Sequence, residues 1–311
     1  MVRFGIVVWN TPQVGSYGYD MIRKFALEGE RLGFESFWLA DHFVAVNPSD
    51  PYYECYTVLS ALATETERIR LGPLVTCVAY RNPAVLAKIT ATLDVISRGR
   101  LEFALGAGWD QAEYNAYGIN FPPPSVRVEQ VEEALQIITK MWTETESSFD
   151  GKHFSIRKAV NEPKPLQKPH PPIWLGARGN RMLWLVAKYA DGWNLDTAYT
   201  PDIFRKKLNT LTEHCESLGR DIRSIRKSVG HEIVIAKTEG EVKQLVNRSC
   251  ARYGLERENY LNETLVGTPD QIVQKLRKYV ELGVELVVCS FVDWQSLKPI
   301  ELFSEQVVPN I

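Results

Sequence analysis

IRLGPLVTCVAYRNPAVLAKITATLDVISRGRLEFAL, residues 69–105, reads as strand, helix, strand: an apolar run at 69–75, a helical period over about 83–96, and a second short apolar run at 101–105. Two strands joined by a crossover helix pair in parallel, because the helix has to pack back on the sheet with a right-handed turn. Working outward, the same unit recurs. RFGIVV (3–8) precedes a helix from Tyr17 to Leu32 closed by Gly33, and SFWLA (36–40) precedes one at about 53–66. The strand at 101–105 leads to a helix at about 125–142. PIWLG (172–176), GWNL (192–195) and SVGHEIVIA (228–236) precede helices at about 179–190, 201–219 and 239–253. Thr268-Pro269-Asp270 caps a further helix running to about Leu282, and ELVVCSF (285–291) is the eighth strand.

Eight evenly spaced units with no second block of different character predict a single (β/α)8 TIM barrel spanning residues 1–311, in preference to a doubly wound open sheet. Two stretches exceed the minimal unit. Residues 109–124, after the fourth strand, carry aromatics, glycine and three prolines; residues 147–170, after the fourth helix, hold a hairpin about Asp150-Gly151 and a proline-rich link. The first insertion leaves from a strand's C-terminal end, where barrel active sites are built, so it is the one expected to cover a substrate pocket.

With 45% hydrophobic and 24% charged residues, 311 residues bury a large core unaided by metals or disulfides. Lys+Arg 36 against Asp+Glu 38 gives a net charge of −2, and no long basic block is present, which argues against a nucleic-acid partner. No apolar stretch reaches membrane-spanning length, and the start, MVRFGIVVWN, reads as one arginine and a short first strand, so a cytoplasmic protein without membrane contact is expected. Five scattered cysteines without a CxxC pair fit a reducing compartment, and the five histidines show no metal-ligand spacing; no metal is expected.

In a barrel the residues following each strand meet at one mouth: Trp9-Asn10, Asp41-His42, Thr76-Cys77, Gly106-Ala107-Gly108, Gly176-Ala177-Arg178-Gly179 and Trp193-Asn194. Aromatic surface, close-approach glycines, amides and one imidazole suit a planar heterocycle with an anionic tail better than a metal ion. Gly176 and Gly179 around Arg178 would bring backbone N–H groups to an anion at a helix N-terminus; the competing reading is a tight turn in which glycine serves geometry alone. GAGWD (106–110) is no dinucleotide fingerprint, since Gln111 stands where GxGxxG needs glycine. His42 is a candidate proton donor or acceptor, against the reading of a histidine bonded to a backbone carbonyl. Asp41 is read as capping or orienting as much as binding. Glu113 and Tyr117 of the first insertion are within reach of a substrate, against packing or solvation. Cys77 has no histidine partner and reads as a packing residue.

These motifs are familiar. ERLGFESFWLADHF (30–43), residues 68–119 from RIRLGPLV to EYNAYGI, PPIWLGARG (171–179), AKYADGWN (187–194) and VGTPDQIVQKLRKYVELGV (266–284) resemble, in order and over about residues 3–290, the luciferase-like monooxygenase superfamily, and within it the deazaflavin-dependent oxidoreductases. The resemblance implies a barrel binding F420 or reduced FMN at its strand ends. It implies cofactor contacts at His42, Thr76, Gly106, Gly108, Gly176, Gly179 and Trp193. It also implies a non-prolyl cis peptide where Thr76, Cys77 and Val78 end the third strand, and a homodimer formed through barrel helices. Deazaflavin-dependent alcohol and sugar-phosphate dehydrogenases carry an acid directly after GxG; here that place holds Trp109, a departure that counts against those particular substrates. The leading expectation is hydride transfer between F420 and a small organic substrate, with His42 and Glu113 catalytic. One alternative is monooxygenation by reduced FMN supplied by a separate reductase; another is a non-catalytic flavin-binding protein. A carbon at ring position five keeps deazaflavin from forming the usual flavin peroxide, so cofactor identity decides between the first two.

Overall fold

The computed structural model describes residues 2–8, 18–45, 51–195, 200–254, 256–292 and 296–311. Eight parallel strands close a ring: β1 (Arg3–Val8), β2 (Ser36–Leu39), β3 (Arg70–Pro73), β4 (Phe103–Gly106), β5 (Ile173–Gly176), β6 (Gly192–Leu195), β7 (Arg226–Ile235) and β8 (Leu286–Phe291). β1 pairs with β8 from Arg3↔Leu286 and with β2 from Gly5↔Ser36, and Leu71↔Leu101 bridges β3 to the start of β4. All eight expected strands are present. Beyond the ring, Thr76–Cys77 pairs with β4 and Leu265–Gly267 with β7.

The period-2 pattern of these strands sorts side chains into two cores. Ile6, Val8, Phe37, Leu39, Phe103, Leu105, Leu175 and Val287 face the helices, whereas Val7, Trp38, Ala104, Trp174, Leu286 and Val288 fill the barrel. Trp38 and Trp174 meet edge to face, with ring centroids 6.1 Å apart. Backbone has to yield for them: a Cβ at Gly72 would lie 2.8 Å from Trp38, and one at Gly192 2.2 Å from Trp174. Truncating either tryptophan would cost about 3–5 kcal/mol. Below them, Glu102 accepts from Arg70 and from the Trp174 indole, and Arg226 lies over the Trp174 ring and reaches Glu35 at 3.1 Å. Burial pushes the Glu102 carboxyl up while Arg70 opposes it. Charged groups thus seal the N-terminal end of the ring.

The helices follow the sequence closely. α1 (Tyr19–Arg31) buries Ile22, Phe25 and Ala26 and stops where Gly33 takes φ +82°. α2 (Cys55–Glu65) and α3 (Pro83–Ile96) follow. The first insertion contributes α4 (Gln111–Ala116) ahead of α5 (Pro124–Thr143). The second forms the expected antiparallel hairpin, Ser147–Asp150 with Ser155–Ala159, whose turn donates three backbone N–H groups to Glu133 of α5. α6 (Asn180–Tyr189), α7 (Pro201–Ser217), α8 (Glu239–Tyr253), α9 (Arg257–Glu263), α10 (Pro269–Val280) and α11 (Lys298–Gln306) complete the layer; α10 opens with a capping box between Thr268 and Gln271. No helix among the described residues is long and apolar enough to cross a membrane. All five cysteines are free thiols.

Candidate functional site at the barrel mouth

The strand ends converge as expected, although Trp9 and Asn10 lie outside the described residues. His42 follows β2, and Glu113 is carried back to it by α4. Asp110 caps that helix, its carboxylate accepting from Ala112 N (3.0 Å) and Glu113 N (3.2 Å). Glu113 is buried and accepts from four donors: His42 Nδ1 at 2.8 Å, Val44 N at 3.0 Å, and, at close range, Phe43 N and Tyr80 Oη. Burial alone would raise the Glu113 carboxyl, but the bonds from His42, Tyr80 and Phe43 outweigh it and hold the group below the usual carboxylate value. For His42, burial lowers the imidazole pKa, yet the hydrogen bond and charge of Glu113 lift it above the ordinary histidine value. An ionised carboxylate only accepts, so Nδ1 carries a proton and Nε2 is left to exchange one with a ligand. His42, Asp110 and Glu113 bring possible metal-ligand atoms within 4.8 Å of one another, but the cap and the four donors already engage both carboxylates.

Tyr80 was not singled out in the sequence; it stands three residues beyond Cys77, where the strand-end rule extends once the loop turns inward. Its ring packs on Phe43 (4.6 Å) and Tyr114 (5.4 Å). Trp109, in the place of the missing acid, is 69% exposed and meets the His42 ring edge-on at 5.6 Å. Tyr117 is exposed and packs on Phe43 instead of facing the imidazole.

The other expected contacts divide. Asp41 is buried, pairs both oxygens with Arg81 (2.8 and 2.9 Å) and accepts from Cys77 N at 3.0 Å, so its carboxylate holds the loop together and is closed to a ligand. The Thr76 hydroxyl is likewise engaged, sharing a 2.6 Å hydrogen bond with Tyr56. Cys77 packs against Tyr114, with Sγ 2.9 Å from Oη, and burial pushes its thiol up to about 11; the packing reading describes it, and Val78 is buried beside it. Trp193 requires a correction. Gly192 and Asn194 face into the barrel, so Trp193 points outward by strand alternation, stacks on Phe204 of α7 at 5.0 Å, and donates to Ala177 O at 2.9 Å. It offers no ring face to the mouth.

The non-prolyl cis peptide lies between Leu74 and Val75, two residues before Thr76-Cys77-Val78. Val75 then projects between two strand ends: a Cβ at Gly106 would lie 2.6 Å from Val75 Cγ2 and one at Gly176 3.1 Å. The glycines therefore make room for Val75, a residue that sequence reading passed over. Ala177 is buried and tied to Asn194 O by its N–H (3.2 Å). Gly179 is different. It caps α6 with no side-chain hydrogen bond, no atom of the described residues stands within 4 Å of where its Cβ would be, and Arg178 beside it is exposed. A helix N-terminus with uncapped N–H groups in open space fits an anion.

Residues 2–286 match the family described as luciferase-like monooxygenase. The chain belongs to that family, and with it to the oxidoreductases. It is 24% identical to the FMNH(2)-dependent dimethylsulfone monooxygenase of Pseudomonas putida, across 100% of this chain and 93% of that protein. It is 25% identical to the F420-dependent glucose-6-phosphate dehydrogenase of Microbacterium testaceum, across 95% and 94%. Among solved structures, an F420-dependent secondary alcohol dehydrogenase in complex with an F420-acetone adduct superposes with a TM-score of 0.86 at 19% identity, covering 99% of this chain and 98% of that one, which shows a shared fold.

Proposed function

We propose that this luciferase-like chain is an F420-dependent oxidoreductase, acting as one barrel domain, that transfers a hydride between the deazaflavin and a small organic substrate. The observation that carries the reading is the His42–Glu113 pair: a basic, oriented imidazole at the barrel mouth, with an ionised partner fixing its tautomer. Bound deazaflavin would supply or accept the hydride. His42 Nε2 takes the hydroxyl proton when an alcohol is oxidised, or returns it to oxygen in the reverse direction. Val75, flanked by Gly106 and Gly176, would support the ring; the backbone at Ala107 and Gly108 would edge it, and Gly179 with Arg178 would hold its phosphate. Asp41, Thr76, Cys77 and Val78 stiffen the wall behind.

A second reading is monooxygenation by reduced FMN from a separate reductase. It is favoured by end-to-end similarity to an FMNH2-dependent relative and by Trp109 in the acid's place. Side-by-side equilibrium binding of oxidised F420 and FMN, read by fluorescence, decides between them. F420 alone supports hydride transfer, FMN alone moves oxygen chemistry to first place, and binding of neither sinks both. Tight binding with no turnover across a substrate panel would point to a carrier protein. We further propose a cytoplasmic homodimer joined through α3, where Val85 (54% exposed) and Ile96 (39%) lie on one face with Ile89 and Thr92. Sedimentation of Val85→Lys/Ile96→Lys should show monomer where wild type shows dimer.

A further inference from the structure

Tyr52 lies in the loop ahead of α2, its ring 6.4 Å from the His42 ring and nearly perpendicular to it. Its hydroxyl is shut off from solvent and has no hydrogen-bond partner among the described residues. Burial, with the charges of Glu113 and Asp41, keeps the phenol protonated, so among the described residues the group is a donor without an acceptor. Leaving a buried polar group unmet costs about 1–3 kcal/mol, and phenylalanine would fill the same space without that cost. The cost is recovered when a ligand oxygen arrives beside His42. The same surroundings choose the oxygen. Arg81 is committed to Asp41 and Glu54 and His42 to Glu113, so among the described residues each cation beside Tyr52 already has a carboxylate partner, and a second anion there is opposed. The exposed Trp109 indole beside His42 offers a flat apolar face for the rest of the molecule.

We propose that Tyr52 is the second hydrogen-bond donor to the substrate oxygen that exchanges its proton with His42, and that this oxygen belongs to a neutral ketone, aldehyde or alcohol with an apolar body. The inference rests on His42 as the proton-transfer group. In the reducing direction His42 Nε2 supplies the proton to oxygen as the C=O electron pair moves onto it, and the bound reduced deazaflavin would supply the hydride for the new C–H bond. The Tyr52 proton stays on its own oxygen throughout.

The test uses protein loaded with oxidised F420 or FMN, whichever it binds, carrying 13C at tyrosine Cζ and histidine Cε1, with resonances assigned by their loss in Tyr52→Phe and His42→Ala. Cyclohexanone, which oxidised cofactor cannot reduce, should move both resonances saturably; cyclohexanecarboxylate should move neither. Tyr52→Phe should raise the cyclohexanone Kd about tenfold. Without ligand, the Tm of Tyr52→Phe should equal or exceed that of wild type. A His42 shift without a Tyr52 shift, an unchanged Kd, equal binding of the carboxylate, or a Tm several degrees lower would each overturn the inference while leaving His42 in its role. If neither resonance moves, the proton-transfer reading falls with it.

Discussion

Gly108 holds the first insertion to the barrel. Its φ is +74°, and an added Cβ would lie 2.0 Å from Tyr114 Oη and 2.7 Å from Cys77 Sγ, two atoms that are themselves paired at 2.9 Å. Gly108→Ala therefore carries about 1–2 kcal/mol of left-handed strain and about 1–3 kcal/mol of overpacking. That is a large part of the roughly 5–15 kcal/mol by which a protein is usually stable. The methyl also pushes on Tyr114, the residue after Glu113, so α4 is displaced and Glu113 withdraws from His42. Urea unfolding measures the first effect, and a histidine Cε1 titration the second, as a fall in the His42 pKa. Adding Tyr114→Phe removes the nearest atom but leaves Tyr114 Cζ 2.9 Å from the methyl, so the double variant recovers part of the overpacking and none of the strain. A single variant within about 0.5 kcal/mol of wild type, or a double variant with no recovery, would refute the account of Gly108 as a packing glycine.

Other expectations follow from the same contacts. Glu113→Gln should lower the His42 pKa. The pair's stabilising contribution is fully present between the unfolded values of glutamate and histidine; it is lost as pH rises through the raised His42 pKa and as it falls through the lowered Glu113 pKa, so an unchanged His42 titration would count against the pairing. Buried His231 is pushed down to about 4, and neither ring nitrogen has a partner among the described residues. Stability tied to its neutral form is present above about 6.5 and lost as pH falls toward about 4, on the order of 3 kcal/mol, so His231→Leu should flatten the acid limb of a Tm-against-pH curve. Trp193→Phe should cost about 1–3 kcal/mol of stability through Ala177 and Phe204 while leaving cofactor affinity within twofold; a tenfold loss of affinity would return Trp193 to the site.

The barrel was legible because each strand is an apolar run set against a helical period, and the two cores repeat that signal on alternate residues. The reading failed where one position decides direction. Trp193 lies at a strand end and so looked like part of the mouth, yet alternation from Gly192 turns it outward. The third strand was expected at 69–75, but its ladder ends at Pro73, and the chain rejoins the sheet at Thr76 against a different neighbour. The His42 and Glu113 candidates came together because the insertion carrying Glu113 folds as a capped helix aimed back at β2. Tyr80 and Tyr114 lie inside the 68–119 stretch without a position that singles them out, and Tyr52 comes beside His42 through three-dimensional proximity alone.

The paired tryptophans and the Glu102 network beneath them leave the ring solid from its middle to its N-terminal end. Traffic is consequently one-way in space and two-way in time. Whatever enters at the mouth leaves by the same opening, so a product blocks the next molecule until it departs, and turnover is expected to be ordered, with the last product released competitive against the first reactant to bind. Rebuilding residues at the far end of the barrel would change how firmly it holds together without altering who passes through it.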